Sequence, residues 1–447
     1  MILCETILVV GAVYVAAFIR FGDRETTFLA ADLPKALIIA GVTQLCLYFA
    51  DLYDFRVIGD RRELFVQSVQ ALGAASLILA VLYYWFPEMV VGRGVFALTA
   101  VIVMTFVFGW RMVFEWTSRH VAPRARLLVV GTNEAAARLG RELHRRTDLG
   151  VEIVGFIDPD PAKLGTPVFN PGVIGAIEDI PAIVRARGVD QVVVSLADAR
   201  GKLPMDKLLD LKLQGVRFEH LATVYEKYTG KIAVDNLRPS WLIFSEGFRK
   251  SPLHDLLKRA LDLSVSLSGL LILSPVMALV ALAIRVSSRG PALYHQERVG
   301  QHGRVFVLHK FRSMQPDAED ASGAVWAQAG DSRVTSIGRF LRRTRLDELP
   351  QLWNVVCGHM SVVGPRPERP EFVRSLTIQI PYYGQRHIIR PGLTGWAQVR
   401  YTYGASVEDA LMKLQYDLYY IKNRTLAFDL FIMAKTVKTV LMRKGGQ

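Results

Sequence analysis

Four apolar runs, at residues 2–19, 36–53, 64–86 and 95–116, fill the first quarter of this 447-residue chain. Each lies near the ~20 residues that a helix needs to cross a bilayer. Hydrocarbon offers no partner to a backbone N–H or C=O, so such runs must fold as helices that satisfy their own backbones. Basic residues then set the orientation. Arg56, Arg61 and Arg62 lie between the second and third runs, and Arg111, Arg119, Arg124 and Arg126 close the fourth, whereas the 87–94 loop holds one arginine. Four passes with both ends on the cytoplasmic side are expected. The first run has no basic leading region and carries Glu5, so it reads as a membrane helix and not as a cleaved signal. Its shortness puts the completeness of the N-terminus in question.

The chain is 51% hydrophobic, yet it carries a net charge of +13 and has a mean hydropathy of +0.25. A basic, apolar protein has two natural counterparts, an anionic lipid face and phosphorylated ligands. Nucleic acid is set aside, because there is no basic tail and no recognisable binding module. Cys4, Cys46 and Cys357 have neither zinc-site spacing nor the numbers for a disulfide framework.

From Arg126 the pattern changes to strands alternating with helices: "RLLVVGT", "NEAAARLGRELHRR", "VEIVGFIDPD", "IVRARGVDQVVVSL" and "LLDLKLQGVRFEHL". That alternation predicts a parallel, doubly wound α/β domain over residues 124–250, following a membrane region at 1–118. A dinucleotide fingerprint there would place glycines at 131, 133 and 136. The sequence has Gly131, Asn133 and Ala136, with Asp158 where a ribose-binding acid would sit. Nucleotide binding and a structural or regulatory role both stay open.

A fifth apolar run, residues 260–284, begins the third region, 254–447. Lys258 and Arg259 precede it, Arg285 and Arg289 follow it, and Ser274-Pro275 falls near its middle. Basic residues at both ends favour the cytoplasmic side for both, and proline removes a helix hydrogen bond. A re-entrant helix over about 256–286, broken at Ser274-Pro275, satisfies both facts. Near the C-terminus "LAFDLFIMAKTVKTVLMRK" carries Lys435, Lys438 and Arg443 among apolar residues. An interfacial helix and a packed core helix are both open for it.

The sequence has no GxxxxGK[ST], HExxH, GxSxG or CxxC, which removes support from kinase, zinc hydrolase and serine hydrolase readings. What remains is a series of basic, glycine- and proline-rich segments. They are "HQERVGQHG" with Arg298, "LHKFRSM" with Lys310 and Arg312, "RRTRLDELPQLWNVV" with Asp347 and Glu348, "GPRPERP" with Pro365, Arg366 and Pro367, and "RPGLTGWAQV". Lys310 and Arg312, two apart, point to one side of an extended segment. Together these cations favour a diphosphate ligand. Asp347 and Glu348 are about 100° apart on a helix, which rules out a facing acid/base pair. A nucleophile beside a helper, a nucleophile beside a Mg²⁺ ligand, and acids that satisfy the dipole of a helix beginning near Asp347 stay open.

From about residue 256 onward the chain resembles the bacterial sugar transferases, or polyprenyl-phosphate hexose-1-phosphate transferases. The matching pieces are "KRALDLSVSLSGLLILSPVMALVALAIRVSSRGPALYHQERVG", "KFRSM", "RRTRLDELPQLWNVV", "SVVGPRPERP" and "RPGLTGWAQV". The N-terminal part resembles the large form of that family, with four spanning helices and a cytoplasmic Rossmann-like domain. The resemblance implies a mainly α, monotopic catalytic domain at the bacterial inner membrane, and transfer of a sugar-1-phosphate from a UDP-sugar (glucose or galactose) to undecaprenyl phosphate. UMP leaves, and exopolysaccharide, O-antigen or capsule assembly begins. It implies Asp347 as nucleophile, Glu348 as its partner in metal binding or proton handling, and Mg²⁺ as cofactor. Lys310, Arg312 and Arg298 would bind phosphates, and Pro365, Arg366 and Pro367 would shape the nucleotide pocket. A homodimer is compatible. Two other readings compete. A membrane-tethered Rossmann oxidoreductase or epimerase conflicts with Asn133 and Ala136, and a ligand-sensing scaffold leaves the charged constellation without a purpose.

Overall fold

In this computed structural model the described residues are 2–21, 33–50, 52–53, 61–89, 93–120, 124–144, 149–168, 170–195, 204–234, 245, 247–248, 250–315, 318, 333–401, 404 and 406–441. Arg56 and part of the 87–94 loop, which entered the topology reading, and Arg443 of the C-terminal segment lie outside them. The chain divides into two compact units, Met1–Arg126 with Leu143–Glu152, and Leu127–Glu142 with Ile153–Gln447.

The first unit is a helical bundle: α1 (Ile2–Phe21), α2 (Leu33–Phe49), α3 (Arg61–Trp85) and α4 (Arg93–His120). Three stretches here, Leu3–Arg20, Phe65–Trp85 and Gly94–Phe114, are long and apolar enough to cross a membrane, and α2 is an apolar helix of 17 residues. Small residues line the buried seam, among them Ala12, Ala16, Ala36, Ala40, Ala71 and Ala75, which lets helices approach closely where lipid supplies no hydrophobic drive. Arg111 departs from its expected place in the cytoplasmic flank. It is fully buried against Glu5 at 2.8 Å and donates to the carbonyl of Leu52, while the Tyr53 hydroxyl donates to Glu5 at 2.5 Å. A charge in an apolar bundle persists only when paired in this way.

In the second unit β1 (Ala125–Val130), α5 (Glu134–His144), β2 (Val151–Ile157), β3 (Val173–Gly175), α6 (Ile180–Arg187), β4 (Gln191–Val194), α7 (Met205–Leu213), β5 (Arg217–His220) and α8 (Leu221–Thr229) build a five-stranded sheet of order β3-β2-β1-β4-β5. The β1–β4, β2–β3 and β4–β5 pairs are parallel, and the crossover from β4 to β5 runs through α7. The polypeptide joins the C-terminal core well before residue 250. Ile232 and Val234 are buried with Leu414 and Tyr420, and Trp396 donates to Gly230 O at 2.9 Å.

Helix α9 (Pro252–Ser287) has 36 residues and runs through Pro275 without interruption, where the sequence suggested a break. Pro275 has no N–H for the carbonyl of Leu271, and the Ser274 hydroxyl serves that carbonyl instead, at 2.8 Å. Both halves pack on the same body. Before the proline, Arg259 donates to Val355 O at 2.7 Å and Val356 O at 2.8 Å, and Asp262 accepts from Ser361 Oγ and Val362 N, each at 3.0 Å. After it, Val280 and Ile284 are buried with Phe311 and Leu341.

The remainder comprises β6 (Leu293–Val299), β7 (Val305–Phe311), α10 (Ser336–Thr344), α11 (Gln351–Val356), β8 (Ser361–Val363), α12 (Pro370–Gln379), β9 (Gly392–Thr394), α13 (Trp396–Arg400), α14 (Val407–Asn423) and α15 (Leu426–Leu441). Strands β6 and β7 form an antiparallel hairpin. The C-terminal helix α15 buries Asp429, Ile432 and Lys438 while Leu430, Phe431 and Val437 are exposed.

Candidate active site

The two acids sit on a short 3-10 turn, Leu346–Glu348, and not in the first turn of an α-helix. Arg345 makes the turn by taking a left-handed backbone, φ 60°, a conformation costly for a side chain other than glycine and seen where the surroundings enforce it. Pro350 then precedes the six-residue α11. The preceding helix α10 is pinned to the end of β7: Thr335 N donates to Ser313 O at 3.1 Å and Arg342 Nε to Ser313 Oγ at 2.9 Å. A Cβ at Gly338 would stand 1.9 Å from Ser313 O, so only glycine permits that approach.

Asp347 is 8% exposed, and its Oδ1 has no hydrogen-bond partner among the described residues. Burial first, then the charge of Glu348, raise its carboxyl to about 6. Lys310, Arg345 and Arg342 act in the opposite direction. Glu348 has the contrary fate. Burial alone would raise it, but the guanidiniums of Arg366 and Arg345 hold it below the ordinary glutamate value, with Oε1 accepting from Arg366 at 3.1 Å and Arg345 at 3.2 Å. Adjacent acids thus divide into one loosely held carboxylate and one tightly paired one.

Lys310 lies over the Tyr294 ring at 5.1 Å. Burial, followed by the neighbouring charge of Arg298, brings its ammonium down to about 8. Arg298 is anchored by the carbonyl of Pro367 at 3.2 Å and by Gln296 at 2.5 Å. All three carbonyls of the Pro365-Arg366-Pro367 segment are held. Gly392 N donates to Pro365 O at 2.8 Å, Arg386 donates to Arg366 O at 3.0 Å, and Arg298 takes Pro367. The segment is therefore a rigid mount for the Arg366 fork.

The structure brings Asp347, Glu348, Lys310, Arg298 and Arg366 into one electrostatic cluster. It does not bring Arg312. Strand β7 ends at Phe311, and beyond it Arg312 turns to the C-terminus of α9, donating to Arg289 O at 2.8 Å, Ser288 O at 3.1 Å and Ser288 Oγ at 2.8 Å. The two-residue alternation that put it beside Lys310 holds only inside a strand. Its role is to cap a helix terminus, which needs acceptor partners satisfied. Arg312→Gln is expected to cost about 2 kcal/mol or more of stability while leaving the donor KM within about twofold. A raised KM in a fully folded variant would return Arg312 to the ligand site. Ser274 and Pro275 are on α9, not in the cluster.

Arg342, Arg345, Tyr294 and Asn354 join the site without having been singled out in the sequence. Asn354 accepts from His309 N at 3.0 Å and donates to Val307 O at 2.7 Å, which fixes the Lys310 strand to α11. The cluster of Arg342, Arg343 and Arg345 just before Asp347 was the available signal for Arg342 and Arg345. Asn354 had none.

The turn after β1 is occupied by its own side chains. Asn133 donates to Ser195 O at 2.6 Å and accepts from Ala136 N at 2.9 Å. Asp158 accepts from Thr132, from Asp160 N at 3.0 Å and from Lys163 at 3.2 Å. Asn133 and Asp158 are thus each engaged with neighbouring protein groups.

Two family models match the chain. Residues 253–443 match the family described as bacterial sugar transferase, and residues 48–205 match that described as CoA-binding domain. The undecaprenyl-phosphate glucose phosphotransferase of Komagataeibacter xylinus is 31% identical over 95% of this chain and 87% of its own length. The UDP-glucose:undecaprenyl-phosphate glucose-1-phosphate transferase of Escherichia coli (strain K12) is 28% identical over 96% and 95%. The UDP-N-acetylgalactosamine-undecaprenyl-phosphate N-acetylgalactosaminephosphotransferase of Aeromonas hydrophila is 41% identical over 51% of this chain, which spans 53% of that relative's length.

Proposed function

This chain belongs to the bacterial sugar transferase family, and on that premise we propose that it transfers a sugar-1-phosphate, most simply glucose-1-phosphate, from a UDP-sugar to undecaprenyl phosphate. The observation that carries the reading is Asp347, a buried carboxylate with an unpartnered Oδ1 among Lys310, Arg342 and Arg345. An Asp347 oxygen attacks the phosphorus that bears the sugar. An acyl-phosphate bond forms, the bond to the bridging oxygen breaks, and UMP leaves. A phosphate oxygen of the lipid then attacks the same phosphorus, forming the lipid diphosphate and restoring the carboxylate. Lys310, Arg298 and Arg366 offset the charge of the diphosphate and of the leaving UMP. Glu348 holds Arg345 and Arg366 in place.

Among the described residues no group of three or more His, Cys, Asp or Glu could hold a metal ion. Asp347 and Glu348 fit Mg²⁺ in the manner common for phosphate enzymes, one or two carboxylates with the substrate's phosphates and water, the unpartnered Asp347 Oδ1 being the available donor. When bound it would neutralise charge on the diphosphate.

The membrane placement is part of the proposal. Helix α9 exposes Leu271, Ile272, Leu279, Leu282 and Val286, an apolar face suited to lipid. Both halves pack on one body, and Lys258, Arg259, Arg285 and Arg289 flank both ends, which supports a path with both ends on the cytoplasmic side over a crossing. The lipid phosphate and the soluble donor would then meet on one face at the inner membrane, in the first step of assembling a surface polysaccharide.

The test is UMP release from UDP-glucose, UDP-galactose or UDP-N-acetylgalactosamine with undecaprenyl phosphate and Mg²⁺. No release from any of them contradicts the reading. The pH profile adds a second check. Asp347 attacks only when ionised, so kcat/KM falls below about pH 6, and Lys310 loses its charge above about pH 8, giving a bell. Lys310→Arg should carry the alkaline limb upward, and a profile flat from pH 5 to 9 would refute both assignments.

A further inference from the structure

The hairpin of β6 and β7 carries its site residues on one face. Tyr294 pairs with Lys310 and Arg298 with Phe306 across the strands, and His295 pairs with His309 next to the first of these. Alternation puts the histidine pair on the other face. There the two Nδ1 atoms stand 2.8 Å apart, the ring centroids 4.9 Å apart and the ring planes 87° from parallel.

We propose that His295 and His309 form a two-point site for an imidazole-preferring transition-metal cation such as Ni²⁺, Cu²⁺ or Zn²⁺, on the hairpin face opposite Lys310. Metal–imidazole bonds are about 2.0–2.1 Å long, so two nitrogens at the observed spacing subtend roughly 85–90° at a shared ion. That is the angle between adjacent ligands in tetragonal and octahedral complexes. The donors are also preorganised. The strand register fixes the two backbones, and His309 N is tied to Asn354 Oδ1 at 3.0 Å. Because no third His, Cys, Asp or Glu completes a cluster among the described residues, water fills the remaining positions and exchange is fast. The cation staples β6 to β7 next to Lys310 and is separate from the Mg²⁺ of the transfer reaction.

The test is calorimetric titration of Ni²⁺ alone into tag-free, metal-stripped full-length protein in detergent, beside His295→Ala, His309→Ala and His309→Gln. The expected result is one Ni²⁺ per chain, with affinity lowered at least about tenfold in each variant and metal-free melting curves unchanged. His309→Gln retains the backbone bond to Asn354 and guards against a folding artefact. Binding equally tight in folded variants, or no binding by the unaltered protein up to about 1 mM Ni²⁺, would show that the pair merely shares a proton, and would overturn the proposal.

Discussion

Asp347→Asn is expected to lower the transfer rate at least about a thousandfold while leaving the protein as stable as before, or more so. Losing a nucleophile removes the route through the covalent intermediate, and comparable losses in enzymes that form one reach several powers of ten. The side chain keeps its shape, so UDP-sugar binding to Lys310, Arg298 and Arg366 should persist. Stability should not fall, because the native carboxylate is held buried, with its acidity suppressed to about 6. A neutral amide avoids that cost, and catalytic groups often trade stability for reactivity in this way. Parallel measurement of turnover and melting temperature separates this result from unfolding. A variant with more than a tenth of the original rate would remove Asp347 from the role. Glu348→Gln acts differently, since it frees Arg345 and Arg366 rather than deleting the attacking atom.

The second large effect is structural and lies away from the reacting atoms. Arg386→Ala is expected to cost about 3–5 kcal/mol. Arg386 and Asp417 are both almost fully buried, with Nη2 at 2.8 Å and Nε at 3.1 Å from one carboxylate oxygen. Arg386 also donates to Tyr383 Oη at 2.7 Å and to the carbonyl of Arg366 at 3.0 Å. Truncation leaves an uncompensated carboxylate in the core, whose acidity burial already suppresses, and it loosens the mount of Arg366. Adding Asp417→Asn should recover part of the loss, because the buried charge is then gone. Arg386→Lys should recover little, since an ammonium cannot serve the same fork of acceptors. A thermal or denaturant midpoint nearly unchanged in Arg386→Ala would mean that the pair contributes little to holding this core.

The features legible in the sequence are those with a local period or an ordered set of motifs. Apolar runs gave the helices of the first unit, and strand–helix alternation gave the parallel sheet. The degraded glycine pattern at Asn133 and Ala136 left nucleotide binding open, and it held no sign of the bonds from Asn133 to Ser195 and Ala136. Adjacency of Asp347 and Glu348 excluded a facing pair, and the structure divides the two acids by environment. What escaped the sequence depends on where local rules stop. Arg312 lies one residue beyond the end of β7, so strand parity no longer governs it. Pro275 signalled a break, yet the preceding Ser274 supplies the missing donor and the helix runs on. Arg111 looked like a flanking cation, and only the bundle shows Glu5 waiting for it. Asn354 and Arg386 hold the site through bonds to distant segments, for which a single sequence carries no pattern.

The central claim is that the phosphosugar rests on Asp347 between the two substrates. Its most direct test is exchange of labelled UMP into UDP-glucose in the complete absence of undecaprenyl phosphate. If the enzyme cleaves the donor and holds the sugar phosphate, label enters UDP-glucose without any acceptor, and Asp347→Asn abolishes the exchange. Strict dependence of exchange on the lipid acceptor, in a preparation that completes the overall transfer, would mean direct passage from donor to lipid and would contradict the account.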